Sequence, residues 1–177
     1  YNFVKVETKV NRINNEKFDL MIEIDRGKKT KISSIKFIGD KKIKDRKLKN
    51  VIVSEEAKFW KFISKRKLLD LKRIELDETL LKNYYKNNGY YNVSVESSSA
   101  KIINETDFEL IFNINAGKKY YFNNLKLNIP EDFSEESFKN ILSVLNKLEG
   151  KVYSLNRIEK ILKEIDIISL DKEFEFI

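Results

Sequence analysis

The stretch IDRGKKTKISSIKF at positions 24–37 returns as INAGKKYYFNNLKL at 114–127, a constant offset of 90 residues. The match extends without a gap: YNFVKV at 1–6 lines up with YNVSVE at 91–96, and FDLMIEI at 18–24 with FELIFNI at 108–114. Self-similarity at one interval means that a single supersecondary unit has been used more than once. The fold must therefore be a tandem of small modules rather than one large core.

Period-two alternation defines the strands of the unit. Phe18, Leu20, Ile22 and Ile24 in one copy, and Phe108, Leu110, Phe112 and Ile114 in the other, place apolar side chains on one face of a hairpin whose other face is wet. After the GKK turn a further short strand carries Ile35 and Phe37, or Leu125 and Leu127. The period then changes. Leu48, Val51 and Ile52, and in the later copy Phe138, Ile141, Leu142 and Leu145, have helical spacing, with Asp45 and Ser134 placed as N-caps.

A second helix is predicted in both copies. One runs through Leu76, Leu80, Leu81 and Tyr84 and stops at Gly89; the other carries Leu155, Ile158, Ile161, Leu162 and Ile165, capped by Ser154, with Tyr153 and Ile158 spaced as a hydrophobic staple. Between its two helices the earlier copy has about 11 extra residues, within EEAKFWKFISKRKLLDLKR. The unit is strand, helix, helix, strand, strand, an α+β pattern. Residues 1–27 are expected to be the closing hairpin of a preceding unit, 28–117 a complete unit, and 118–177 a unit lacking its last strand. The chain is accordingly expected to be a fragment, and GKK marks the hand-over between modules.

Charge is unevenly distributed. Residues 1–74 hold 22 Lys and Arg against 10 Asp and Glu, whereas the remainder holds 13 against 18. The excess gathers at Lys41, Lys42, Lys44, Arg46, Lys47 and Lys49, and again at Lys58, Lys61, Lys65, Arg66 and Lys67. Such a face suits anionic lipid headgroups, nucleic acid or an acidic partner; a solvated lysine-rich face is the plain alternative.

The composition argues against catalysis. Without Cys or His there is no thiol nucleophile, imidazole base or His-ligated metal site. The adjacent pairs Glu55 with Glu56 and Glu135 with Glu136 do not converge on one substrate, and a glutamate at a helix start serves the helix dipole. The GKK turns lack the GxxxxGK[ST] of a phosphate-binding loop. A nucleic-acid-binding α/β module remains the rival class, with Tyr90, Tyr91, Tyr120 and Tyr121 as aromatics, although no RNP1-like run occurs. No cofactor is expected, and no apolar run approaches the roughly 20 residues of a membrane-spanning helix.

The order of these elements, with DETLLKNYYKNNGYYNVSV joining helix to hairpin and a GKK turn leading into the next module, resembles the POTRA domains of the BamA-like outer-membrane protein assembly factor family. The FW pair before the second helix is most similar to the third such domain, the flanking pieces then being parts of the second and fourth. Gly39 fits the glycine expected after the first strand, whereas Ile129 and Pro130 stand at the corresponding place in the last module, where the turn must differ.

The resemblance implies a three-stranded sheet with two helices packed on one face and a non-enzymatic role. It places the chain in the periplasm, as the arm of an outer-membrane β-barrel that would lie C-terminal to it. The implied partners are unfolded outer-membrane proteins and accessory assembly lipoproteins. A related protein secretion or translocation pore is the alternative within the family. Clients would add a strand to the sheet edge formed by Tyr91, Asn92, Val93, Ser94, Val95, Glu96 and Ser97. The inter-module joint would comprise Asn115, Ala116, Gly117, Tyr120 and Tyr121.

Overall fold

A computed structural model of the chain describes residues 4–14, 17–26, 30–57, 68–104 and 106–173. In order they form β1 (Lys5–Arg12), β2 (Phe18–Asp25), β3 (Lys31–Asp40), α1 (Asp45–Lys49), α2 (Leu71–Asn87), β4 (Ser94–Ile102), β5 (Asp107–Asn115), α3 (Lys139–Leu148) and α4 (Leu155–Glu173). β1 and β2 pair antiparallel, Lys5 opposite Asp25 and Arg12 opposite Phe18. The remaining strands form a three-stranded sheet in the order β3-β5-β4. This is the α+β class read from the sequence. By contacts the chain divides into two compact units, Tyr1–Ile38 with Asp45–Glu78 and Glu96–Asn113, and Gly39–Lys44 with Thr79–Val95 and Ile114–Ile177.

In the first unit, β3 runs parallel to β5. The Lys31 amide donates to the Thr106 carbonyl at 2.8 Å, the Ser33 hydroxyl donates to the Phe108 carbonyl, and Phe37 stacks on Phe112 with centroids 5.6 Å apart, so the partners advance together. Burial along β3 steps from Ile32 to Ile35 and Phe37, a slip of one in the two-residue period at Ser33 and Ser34. An inserted residue of the β-bulge type produces this slip. It turns the Ile35 amide away from β5, where it donates to the Glu56 carboxylate at 3.0 Å.

α1 is shorter than its pattern predicts. Val51 and Ile52 lie beyond it, because the Asn50 and Val51 amides close i−3 turns on Lys47 and Leu48 and the chain then leaves the helix. Leu48 and Ile52 are nevertheless buried. The inward face of α2 is also rotated from the predicted one. Leu76 is exposed, whereas Ile74 and Asp77 are buried in this unit. The Asp77 carboxyl accepts the Val53 amide at 2.6 Å and the Ser54 amide at 3.2 Å, so it satisfies the backbone just past α1.

In the second unit Leu81 and Tyr85 are the buried residues of α2, with Val93, Val95, Ile114 and Ala116 also buried. The Tyr85 hydroxyl donates to the Lys41 carbonyl. Phe122, Phe138, Ile141, Leu148 and Ile161 form a further cluster, against which Leu125, Leu127, Ile129, Tyr153 and Ile158 pack. The Ser134 hydroxyl accepts the Glu136 amide and opens the 3₁₀ turn Glu135–Phe138 that leads into α3. Leu125 and Leu127 are not in a strand, contrary to their alternation. A strand is completed by a ladder, and among the described residues nothing pairs along 123–130.

The buried Asp77 gives a sharp test. Asp77→Ala strands two backbone donors and should lower unfolding free energy by about 3 kcal/mol in denaturant titration, with Asp77→Asn losing less. A change below about 0.5 kcal/mol for the alanine variant would show that these amides find other partners.

Candidate functional site

β4 lies at an edge of the three-stranded sheet. Even-numbered residues of β5 and just outside it turn their backbone groups toward β3: the Thr106 carbonyl accepts the Lys31 amide, the Phe108 carbonyl accepts the Ser33 hydroxyl, and the Ala116 amide donates to the Asp40 carbonyl. Both backbone polar groups of a strand residue point to one side and alternate along the chain. Odd-numbered residues of β5, on its less buried face, therefore bond β4, and because hydrogen-bonded partners share a face, exposed Ser94 and Glu96 turn their backbone groups toward β5 while buried Val95 turns its own outward. The side chains follow the pleat: Val93 and Val95 are buried, Ser94 and Glu96 exposed.

The far edge of the sheet is different. Along β3 the Thr30 carbonyl accepts the Leu69 amide, the Ile32 carbonyl accepts the Ala57 amide, and Glu56 occupies the Ile35 amide. Lys49 in turn pairs with Glu56. The first half of that edge is thus closed by the chain itself, which leaves β4 as the long edge open to pairing among the described residues.

The strand begins later than its sequence indicates. Tyr91 and Asn92 lie in a turn and Val93 precedes β4, which opens at Ser94 and reaches Ile102, with Ser97 inside it. The reason is a set of competing contacts. The Tyr91 ring meets Tyr120 and Tyr153 edge-on, with centroids 6.2 and 5.3 Å away, and the Asn92 amide group donates to the Tyr120 hydroxyl at 2.9 Å. Burial beside Tyr91 and Glu159 holds the Tyr153 phenol above its usual pKa.

The same region joins one repeat to the next. α2 ends in a Schellman turn, with the Tyr90 amide donating to the Tyr85 carbonyl and Gly89 at φ +97°. The Gly89 carbonyl accepts the Tyr120 amide at 2.8 Å, and the Tyr120 carbonyl accepts the Tyr153 amide at 3.0 Å. Tyr121 bridges to Val152. Of the predicted joint residues, Asn115 ends β5, buried Ala116 donates its amide to the Asp40 carbonyl, and Gly117 turns the chain at φ +66°. Ser154 was expected to cap α4 with its own side chain. Instead its hydroxyl donates to Asn87 Oδ1, which also accepts the Asn156 amide.

The first basic cluster surrounds the loop after β3 and α1. Lys41, Lys42 and Lys44 lie on the loop, and Arg46, Lys47 and Lys49 on the helix. Lys42, at positive φ, pairs with Asp40 at 2.7 Å, and that hydrogen bond and charge raise its pKa. With Lys49 on Glu56, two of these cations are matched internally. Lys58, Lys61, Lys65, Arg66 and Lys67 lie outside the described residues.

Residues 30–117 match the POTRA family, described as a surface antigen variable number repeat. The chain contains a POTRA domain, and that domain is of the BamA-like kind. It is 25% identical over 162 residues to the outer membrane protein assembly factor BamA of Neisseria meningitidis serogroup B, a match over 92% of this chain. It is 24% identical to the proteins of that name from Neorickettsia risticii and Buchnera aphidicola, over 84% and 85% of the chain. The chain spans 20–24% of the length of these relatives. The crystal structure of Haemophilus influenzae BamA POTRA3-5 shares its fold at a TM-score of 0.57 and 16% identity, over 92% of this chain and 61% of that one.

Two glycines separate strain from steric fit at this site. A Cβ on Gly89 would lie 2.8 Å from Val152 Cγ1 and 2.9 Å from Lys119 Cγ, whereas at Gly117 it would meet nothing within 4 Å. Gly117→Ala should therefore show only left-handed backbone strain, about 1–2 kcal/mol, while Gly89→Ala should lose more and disturb the Tyr120 amide in NMR spectra. Equal losses from the two substitutions would show that the close approach at Gly89 is immaterial.

Proposed function

We propose that this chain is part of the periplasmic arm of an outer-membrane β-barrel assembly factor, where it scaffolds accessory assembly lipoproteins and transiently binds unfolded outer-membrane proteins. The observation that carries the reading is the unequal treatment of the two sheet edges: β3 is blocked over its first half, whereas β4 keeps the Val95 backbone groups outward. An extended client adds a strand there, its main chain providing affinity and the pleat selecting alternate side chains. The similarity to BamA proteins supports this placement.

The strength expected of such a site suits a transient role. Four to six added backbone hydrogen bonds at about 1 kcal/mol net each give a Kd of roughly 0.1–1 mM before side chains contribute. A site of that affinity releases what it holds, which a component handing clients onward requires. The internal pairing of Lys42 and Lys49 weakens the nucleic-acid alternative by removing charge that would otherwise meet phosphate.

The arm reading also accounts for the β1–β2 hairpin. Phe18, Leu20, Ile22 and Ile24 are 54–63% exposed, whereas their counterparts Phe108, Leu110, Phe112 and Ile114 are at most 1% exposed. Burying four such side chains is worth roughly 6–12 kcal/mol, and a two-stranded hairpin alone is marginal in water. The exposed apolar face of the hairpin fits the closing strand pair of a POTRA module, covered by that module's helices.

The edge is tested by proline. Proline removes an amide and is tolerated where that amide faced outward. Measured against Val95→Ala, which also loses the buried side chain, Val95→Pro should melt within about 5 °C and weaken capture of an extended, alternating outer-membrane-strand peptide at least tenfold by NMR titration. Ser94→Pro and Glu96→Pro, which remove amides turned toward β5, should unfold the sheet. Unchanged capture by the folded Val95→Pro variant would remove β4 as the client site.

A further inference from the structure

α4 is capped by a residue from the repeat before it. α2 has a local cap: the Asp70 side chain accepts the Arg73 amide at 3.3 Å. The corresponding acceptor for α4 is not its own Ser154. Asn87, near the end of α2 and 69 residues away from the amide it serves, accepts the Asn156 amide at 2.7 Å and the Ser154 hydroxyl at 3.1 Å on one oxygen. A backbone amide can only donate, so the Asn87 atom facing it is the carbonyl oxygen.

We infer that Asn87 is an inter-module cap, a positioning residue that locks the first turn of α4 onto the end of α2 and so sets the direction in which the next module leaves. The reasoning is geometric. The Schellman turn at Gly89 fixes where Asn87 stands, and the Gly89–Tyr120–Tyr153 relay brings Ser154 to it. Swinging α4 away would return its second amide to water, since Asn156 lies at the surface. Loss of the cap therefore loosens the joint without unfolding either side. The inference holds whether or not β4 receives a client.

The surroundings predict which substitution rescues the cap. Asn87 lines a cleft with Lys119, Lys151 and Arg157, and a carboxylate there would meet three cations and the positive end of the α4 dipole. Asn87→Asp keeps the acceptor and should hold the joint as well as the parent, more firmly at low salt. Asn87→Ala removes it.

The chain has no cysteine, so spin labels can be placed on exposed sites of the two helices through Asn83→Cys and Lys163→Cys. Electron paramagnetic resonance should show a narrow distance distribution for the parent, a clearly broader one for Asn87→Ala, and a narrow one for Asn87→Asp. Hydrogen exchange of the Asn156 amide should quicken about fivefold in the alanine variant, the effect of losing an ordinary N-cap, while Ile161 stays protected. If Asn87→Ala unfolds the segment, Asn87→Asp decides alone: its melting temperature relative to the parent must fall on adding about 0.5 M salt. An unchanged distribution in Asn87→Ala, or one as broad in Asn87→Asp, overturns the inference.

Discussion

Backbone amides and carbonyls demand partners, and a sheet of three strands necessarily leaves two edges where those partners are missing. Much of this structure is a response to that demand. At the β3 edge the chain returns upon itself, using Ala57, Leu69 and the Glu56 side chain to occupy Ile32, Thr30 and Ile35. The β-bulge at Ser33 and Ser34 belongs to the same solution, since the slip it introduces points the Ile35 amide outward to Glu56. Asp77 does equivalent work one layer away, holding the amides that α1 leaves unsatisfied when it stops early.

The hand-over between repeats follows from the same accounting. Gly89 and Gly117 supply the positive φ that lets the chain turn twice within a short distance, and the carbonyl exposed by the first turn receives the Tyr120 amide beyond the second. Tyr91, Tyr120 and Tyr153 then close around the junction, each edge-on ring pair worth about 0.5–1.5 kcal/mol beyond its buried area. These contacts keep Tyr91 and Asn92 out of β4, so the open edge and the joint share a boundary at Val93.

Much of the fold was legible in the sequence because it rests on periodicity and on one repeat. Phe108, Leu110, Phe112 and Ile114 alternate without a break and are buried without a break. Gly89 was identifiable as a helix stop, because a left-handed residue there favours glycine. What escaped depends on contacts far apart in sequence. Nothing near Asp77 shows that it turns inward to reach Val53, and Leu76 fits the helical period as well as Ile74 does. Asn87 is one of several polar residues in KNNGYY; its role exists only because Ser154 arrives beside it. The strand start was misplaced for a similar reason, since Tyr91 and Asn92 have strand-like neighbours and lose them to Tyr120.

The central claim is that the outward backbone of β4 receives a client strand. Residue-resolved hydrogen exchange of the intact chain, with and without a saturating extended peptide of outer-membrane-strand type, tests it most directly. The account predicts new protection at the Val95 amide, with Ser94 and Glu96, whose amides already face β5, unchanged. Protection that appears along β1 or β2 instead, or no change at Val95 while the peptide is demonstrably bound, would contradict it.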